Sequence, residues 1–244
     1  MNLVIDIGNT SVKAAIFKQG KIVVRLHSFA EIKKAIEKEK ITCSIISKTG
    51  SDNPVEAFLS TQKFRQLTFN HHLKLPIVNR YATPETVGTD RLALMCAAHQ
   101  LFPAQNILCI DTGTCITYNF LTATSEFMGG SIAPGIEMRF KALHHFTANL
   151  PLISFQKYMQ SFPEGKAVPL TGNSTESAIM SGVLNGIVTE TNGIVAQYAK
   201  AHPELAIVVT GNGSNFFSKA IEKENHNLPD LQLQGLNFLI EFNS

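Results

Sequence analysis

Three aspartates fall beside glycines at points where the chain has to turn. Asp6 opens Asp6-Ile7-Gly8-Asn9-Thr10, Asp111 opens Asp111-Thr112-Gly113-Thr114, and Asp90 sits within Gly88-Thr89-Asp90-Arg91. Glycine lets a backbone turn tightly and approach an anion, while Asn and Thr add short hydrogen-bonding side chains. An aspartate at the end of a strand can hold a hydrated Mg²⁺, and Lys13, just beyond the first turn, can meet a phosphate. The same residues also suit a tight hairpin with a satisfied aspartate and a solvated lysine. No GxxxxGK[ST] run occurs, so this is no Walker loop. Repetition of the Asp-x-Gly turn weighs against the hairpin-only reading, because two such turns facing across a cleft could grip one polyphosphate from both sides.

Asp90 and Arg91 stand next to each other at the start of a helix that continues LALMCAAHQLF. Adjacent residues cannot easily pair on one helix face. They are free to treat different parts of a ligand, Asp90 as proton acceptor and Arg91 as carboxylate clamp. A capping aspartate with a surface arginine is the simpler alternative, and on these residues alone the stronger one. Val209-Thr210-Gly211-Asn212-Gly213 is a strand entering a turn, which suits nucleotide contact or an ordinary strand-to-helix connection. Gly129-Gly130 and Pro134-Gly135 bracket a strand just before another helix and could present backbone N–H groups at its N-terminus to an anion, or be plain loop. The adjacent pairs His71-His72 and His144-His145 lack the spacing of metal ligands.

The elements that must position these residues repeat. LVIDIGN, SVKAAIF and KIVVRLHSF read as three strands joined by hairpins. A helix follows over Ala30 to Lys40, with Ile32, Ala35 and Ile36 on one face; then come the strand ITCSIIS and a helix opened by Asn53-Pro54 carrying Val55, Phe58 and Leu59. Residues 107–121 start the design again, with Asp111 lying 105 positions after Asp6. The expectation is an α/β protein of two similar lobes, residues 1–104 and 105–244, with a cleft between them. In the second half, Ile136, Phe140, Leu143 and Phe146 form a helical stripe. A helix over residues 175–200 carries Ala178, Gly182, Gly186 and Gly193 along one side, a ridge suited to packing between lobes or between subunits.

Composition bounds the function. Of 244 residues 44% are apolar and 16% charged, enough apolar material for a core and too much for intrinsic disorder. Lys and Arg number 21 against 19 Asp and Glu, and no long basic run occurs, so nothing marks a nucleic-acid surface. Charges interrupt every apolar stretch short of the roughly 18–20 residues of a membrane span. Asp6 breaks the first apolar run, against a signal peptide. Cys43, Cys96, Cys109 and Cys115 form no CxxC pair, so reduced, mostly buried thiols in a cytoplasmic protein are expected. On residues alone, kinase, phosphatase and nucleotide-gated scaffold remain open.

Five ordered motifs narrow the choice: DIGNTSVK, GTDRLAL, DTGTCIT, GGSIAPGIEMRFKALHHFTANLP and GNSTESAI. Together they resemble the type III pantothenate kinases, members of the acetate and sugar kinase, heat-shock-70 and actin superfamily, over Met1 to about Gly213. The resemblance implies duplicated ribonuclease-H-like lobes and a cytoplasmic homodimer. It also implies the use of ATP, Mg²⁺ and a monovalent cation (K⁺ or NH₄⁺) to phosphorylate pantothenate in the first step of coenzyme A synthesis. It assigns Asp6, Ile7, Gly8, Asn9, Thr10, Ser11, Val12 and Lys13 to the ATP phosphate turn, with Asp6 near Mg²⁺ and Thr114 a further ATP contact. It gives Gly88, Thr89, Asp90 and Arg91 to pantothenate, Asp90 as proton acceptor and Arg91 at the carboxylate. Tyr81 becomes another pantothenate contact, Asp111 the monovalent-cation position, and Thr175 a substrate contact across the dimer.

Three positions depart from the family pattern: Cys115 in place of Ala, Ser174 in place of Asn before Thr175, and Asn212 where Gly is common. Two rivals stay open on the sequence. One is another small-molecule kinase or phosphatase of the superfamily, and the other is a catalytically silent relative serving as a regulatory factor.

Overall fold

The computed structural model describes residues 1–8, 12–49, 54–156 and 168–244. Its strands form two sheets of the same design. In the first, β1 (Asn2–Ile7) pairs antiparallel with β2 (Val12–Lys18) and β2 with β3 (Lys21–Leu26). On its other side β1 runs parallel to β4 (Cys43–Lys48), which runs parallel to β5 (Arg65–Thr68). The spatial order is therefore 3-2-1-4-5. In the second, β7 (Ile107–Thr112), β8 (Cys115–Leu121) and β9 (Glu126–Pro134) form the antiparallel trio, with β10 (Ala206–Thr210) and β11 (His226–Asn227) parallel beyond β7. The short β6 (Val78–Asn79) adds a parallel edge beside β9. The protein is a duplicated ribonuclease-H-like α/β fold.

Strand alternation sorts the side chains into three cores. Leu3, Ile5 and Ile7 of β1 face outward and pack with helices α1 (Phe29–Lys38) and α2 (Pro54–Leu59) through Ile32, Ala35, Val55 and Leu59. On the second sheet, Leu108, Ile110, Ile116 and Tyr118 face outward beneath α4 (Ile136–His145), α5 (Thr175–Ala201) and α6 (Ser214–Ala220). The inner faces, with Val4 and Ala15 on one sheet and Ile107, Cys109 and Leu121 on the other, meet across α3 (Thr89–Leu101) and α7 (Leu231–Phe242). Helix α3 is buried from Arg91 to Ala98, as an apolar run of that length requires. Although α7 ends the chain, it packs on β1, β2 and β4 of the first sheet, where Asn237 Oδ1 accepts a 3.0 Å hydrogen bond from Asn2.

Several details differ from the sequence reading. The α4 stripe stops one turn early: Ile136 and Phe140 are buried, but Phe146 caps the helix and is 81% exposed. Periodicity continued in the sequence past the point where the backbone leaves the helix. Gly129 and Gly130 lie inside β9 rather than in a loop. They make room for close neighbours, since a β-carbon on Gly129 would stand 2.9 Å from the Tyr81 ring. The α5 glycines do not pack between the two sheets: Gly182, Gly186 and Gly193 are exposed, with nothing within 4 Å of a β-carbon built on them. Asn53 lies outside the described residues. All four cysteines are free, with Cys115 alone partly exposed. No described helix is long and apolar enough to cross a membrane.

Candidate active site between the sheets

The period of two along β1 and β7 sets the site. Asp6 shares the inward face with Val4, and Asp111 shares it with Ile107 and Cys109, so both carboxylates enter the space between the sheets. Lys13 stands directly opposite Asp6 in the β1–β2 ladder, and Thr117 opposite Asp111 in the β7–β8 ladder, which places each pair on one face. The N-terminus of α3 delivers Asp90 and Arg91 to the same space. A cavity of about 380 Å³ results, whose lining includes Asp6, Gly8, Lys13, Tyr81, Gly88, Asp90, Arg91, Asp111 and Thr114, together with Gly211, Asn212 and Gln232. A second cavity of about 270 Å³ shares Lys13, Asp111, Gly211, Asn212 and Gln232 with the first and extends to His27 and Asn215. Arg25 and Asp230 also line it, joined by a bidentate pair at 2.5 and 3.3 Å.

Not every residue singled out from the sequence enters the cleft. Ile7 and Val12 turn their side chains into the outer core. Thr89 is buried with its hydroxyl 3.0 Å from that of Ser47. Thr175 lies in the first turn of α5, exposed and outside both cavities, and Ser174 before it caps that helix in a reciprocal pair with Ser177. Asn9, Thr10 and Ser11 lie outside the described residues.

The electrostatics are those of a negative cluster short of positive charge. Burial pushes the Asp6 carboxyl up to about 7, helped by Asp90 and Asp111, while Lys13 and the Gln232 amide draw it down. Asp111 is pushed up to about 6 by burial and by Asp90, against Lys13 and a backbone hydrogen bond at Thr112. Asp6 Oδ1 and Gln232 Nε2 are buried, and neither meets the geometry of a hydrogen bond with any described residue. A cation answers both facts, the raised acids and the orphaned oxygen. Among the described residues no three acidic, His or Cys side chains close around one point as ligands, so the donor set fits an ion that keeps part of its water.

Arg91 is the second unusual charge. It is 6% exposed, which removes the surface-arginine alternative. Its Nε donates to Asn119 Oδ1 at 2.6 Å, and its guanidinium carbon lies 5.7 Å from the Tyr81 ring centre and 5.5 Å from that of Phe127. Nη2 is buried without a partner, and no carboxylate among the described residues lies within ion-pair distance. A buried arginine in this condition is poised for an incoming anion. Sequence reading missed two contributors, Asn119 and Gln232. Asn119 had a signal, a lone amide within the apolar run YNFL, whereas Gln232 is one of three amides in LQLQGLNFLI and nothing local singles it out.

The family model for type III pantothenate kinases matches residues 2–197. The chain belongs to that family. A type III pantothenate kinase from Christiangramia forsetii is 40% identical, covering 100% of this chain and 99% of that protein, and one from Cytophaga hutchinsonii is 39% identical over the full length of both. Among solved structures, a Campylobacter jejuni protein assigned to a Baf family of transcriptional activators superposes with a TM-score of 0.61 at 20% identity, covering 99% of this chain and 98% of that one. A ROK family glucokinase from Streptomyces griseus, solved with glucose and AMPPNP, gives 0.54 at 13% identity over 98% of each. At such identities these two likenesses speak for the fold, and this family member shares it with sugar kinases.

Proposed function

We propose that the chain transfers the γ-phosphoryl group of ATP to the primary hydroxyl of pantothenate, giving 4′-phosphopantothenate for coenzyme A synthesis. The observation that carries this reading is the buried, carboxylate-free Arg91 beside Asp90, in one cavity with Asp6, Lys13 and Asp111. Pantothenate has a carboxylate at one end and a primary hydroxyl at the other. Arg91 takes the first while Asp90 accepts the proton of the second as it attacks, with Tyr81 against the chain between.

Phosphoryl transfer passes through a loose transition state, so the protein's work is alignment and charge neutralisation. Lys13, Thr114 and the backbone at Gly8 and Gly113 hold the phosphates, a role the family pattern also gives to Asn9, Thr10 and Ser11. Asp6 holds Mg²⁺, which when bound supplies positive charge to the phosphate oxygens. Asp111 holds the monovalent cation, K⁺ or NH₄⁺. The exposed glycine ridge of α5 supports a homodimer, in which Thr175 reaches the partner's substrate. The location that suits such an enzyme is the cytoplasm.

The test is ATP turnover by purified protein with and without pantothenate, in K⁺ and then in Na⁺ buffer with Mg²⁺ present. Turnover that needs pantothenate and rises in K⁺ is expected. ATP turnover indifferent to pantothenate points to another kinase of the superfamily, and silence in both buffers points to an accessory factor.

A further inference from the structure

Arg91 is anchored by a neutral side chain where a buried arginine more often meets a carboxylate. Asn119 is fully buried on the inner face of β8. Its Nδ2 donates to Thr117 Oγ1 at 2.8 Å and more weakly to the Cys109 carbonyl at 3.4 Å, while its Oδ1 accepts from Arg91 Nε at 2.6 Å. These partners fix the amide's orientation. Flipped, it would set NH₂ against the guanidinium and oxygen against the Cys109 carbonyl. Asn119 therefore presents Arg91 with an acceptor that carries no charge.

The other neighbours of Arg91 leave its charge intact as well. Tyr81 and Phe127 offer only ring faces. Asp90 turns its Oδ1 to the backbone N–H of Arg91 at 2.8 Å and makes no ion pair with the guanidinium. What remains is a complete positive charge, held in one orientation on a side chain that lines the cavity, with Nη2 buried and unspent.

We propose that Asn119 is a positioning residue that makes the enzyme selective for acceptors bearing a carboxylate, because it orients Arg91 without neutralising it. The proposal rests on the pantothenate reading above. An aspartate at the same place would be nearly the same shape, but it would pair with the guanidinium and repel an incoming anion.

The experiment compares wild type, Asn119→Asp and Asn119→Ala, using pantothenate and pantothenol, which carries a hydroxyl in place of the carboxylate. For each protein KM is measured for both acceptors and for ATP, alongside Tm; where pantothenol turns over too slowly, its Ki against pantothenate replaces KM. Asn119→Asp is expected to raise the pantothenate KM about tenfold or more, with the pantothenol constant and the ATP KM within about twofold of wild type. Asn119→Ala, which keeps the charge but loses the anchor, is expected to raise the pantothenate KM by a smaller factor. It keeps the proposal testable if the aspartate variant does not fold. Equal rises for both acceptors, the mark of a structural role, overturn the proposal, and so does an unchanged pantothenate KM. Wild-type protein that neither binds nor phosphorylates pantothenate defeats the functional reading itself. Wild-type turnover with an indifferent Asn119→Asp defeats this inference alone.

Discussion

The carboxylate of Asp90 folds back over Gly88 and fills the place where a β-carbon on Gly88 would stand. Gly88 has φ −58°, a value open to any residue, so its lack of a side chain is explained by Asp90 and not by backbone strain. Gly88→Ala should force Asp90 into another rotamer and away from the attacking hydroxyl. Misplacement on the scale of an ångström costs roughly 10²-fold in kcat. The ATP KM should stay within about twofold, and Tm should fall by only a few degrees, since alanine is a poorer helix N-cap than glycine by up to about 1 kcal/mol. Steady-state kinetics with a melting curve checks this; a wild-type kcat would remove Asp90 from the role of proton acceptor.

Asp6 and Asp111 make the ligand-free protein sensitive to pH. Both acids sit above their ordinary value of 3.8 in the folded chain, at about 7 and about 6. Folding therefore favours their protonated forms. That contribution is complete below about pH 4 and is lost as pH rises through 6 to 7. Without ligands, Tm should be lower at pH 8 than at pH 5 by several degrees from this source, and Asp6→Asn should remove the larger share. Millimolar Mg²⁺ with ATP should raise Tm more at pH 8 than at pH 5, since a cation favours the ionised acids. Melting curves across this range, with and without Mg²⁺ and ATP, decide it; a Tm in Asp6→Asn that tracks wild type at every pH would contradict the account.

How much of this site was legible in the chain depends on how far each residue's partners lie along it. Asp6 and Asp111 announced themselves because each comes with its own glycine turn and its own antiparallel partner strand, all within a dozen residues. Their repetition exposed the duplicated sheets. Arg91 showed its chemistry but not its burial, which comes from Tyr81 before it and from Asn119 and Phe127 on β8 and β9 after it. Gln232 sits on a helix that ends the chain yet returns to the first sheet, and nothing local to LQLQGL reports that return. Phe146 was misjudged for the opposite reason, since the local pattern was good and the helix stopped short of it.

Gln232 touches both cavities and faces Asp6, while Tyr81 and Arg91 border only one of them. Its amide should act on the nucleotide side. Gln232→Leu should raise the ATP KM about three- to tenfold, the worth of one hydrogen bond, with the pantothenate KM within about twofold. A variant that changes the two KM values in the same proportion would assign Gln232 to packing.

The α5 ridge offers the sharpest test of assembly. Gly182, Gly186 and Gly193 are exposed, and a β-carbon at any of them meets nothing within 4 Å in the chain itself. In a protein that stays monomeric, Gly186→Ala should simply stabilise the helix, by roughly 0.5–1 kcal/mol, because glycine is a poor helix interior residue. In a homodimer packed along this ridge the same methyl group intrudes between two backbones, and Gly186→Leu intrudes further. The expected outcome is a dimer for wild type by light scattering, dissociation at micromolar concentration for Gly186→Leu, and a monomer that retains its secondary structure. With Thr175 reaching across the dimer, that monomer should also lose pantothenate-dependent turnover, and regain it at protein concentrations high enough to restore the dimer. A Gly186→Leu protein that remains dimeric and fully active places the interface elsewhere and leaves Thr175, exposed at the start of α5, without a substrate to reach.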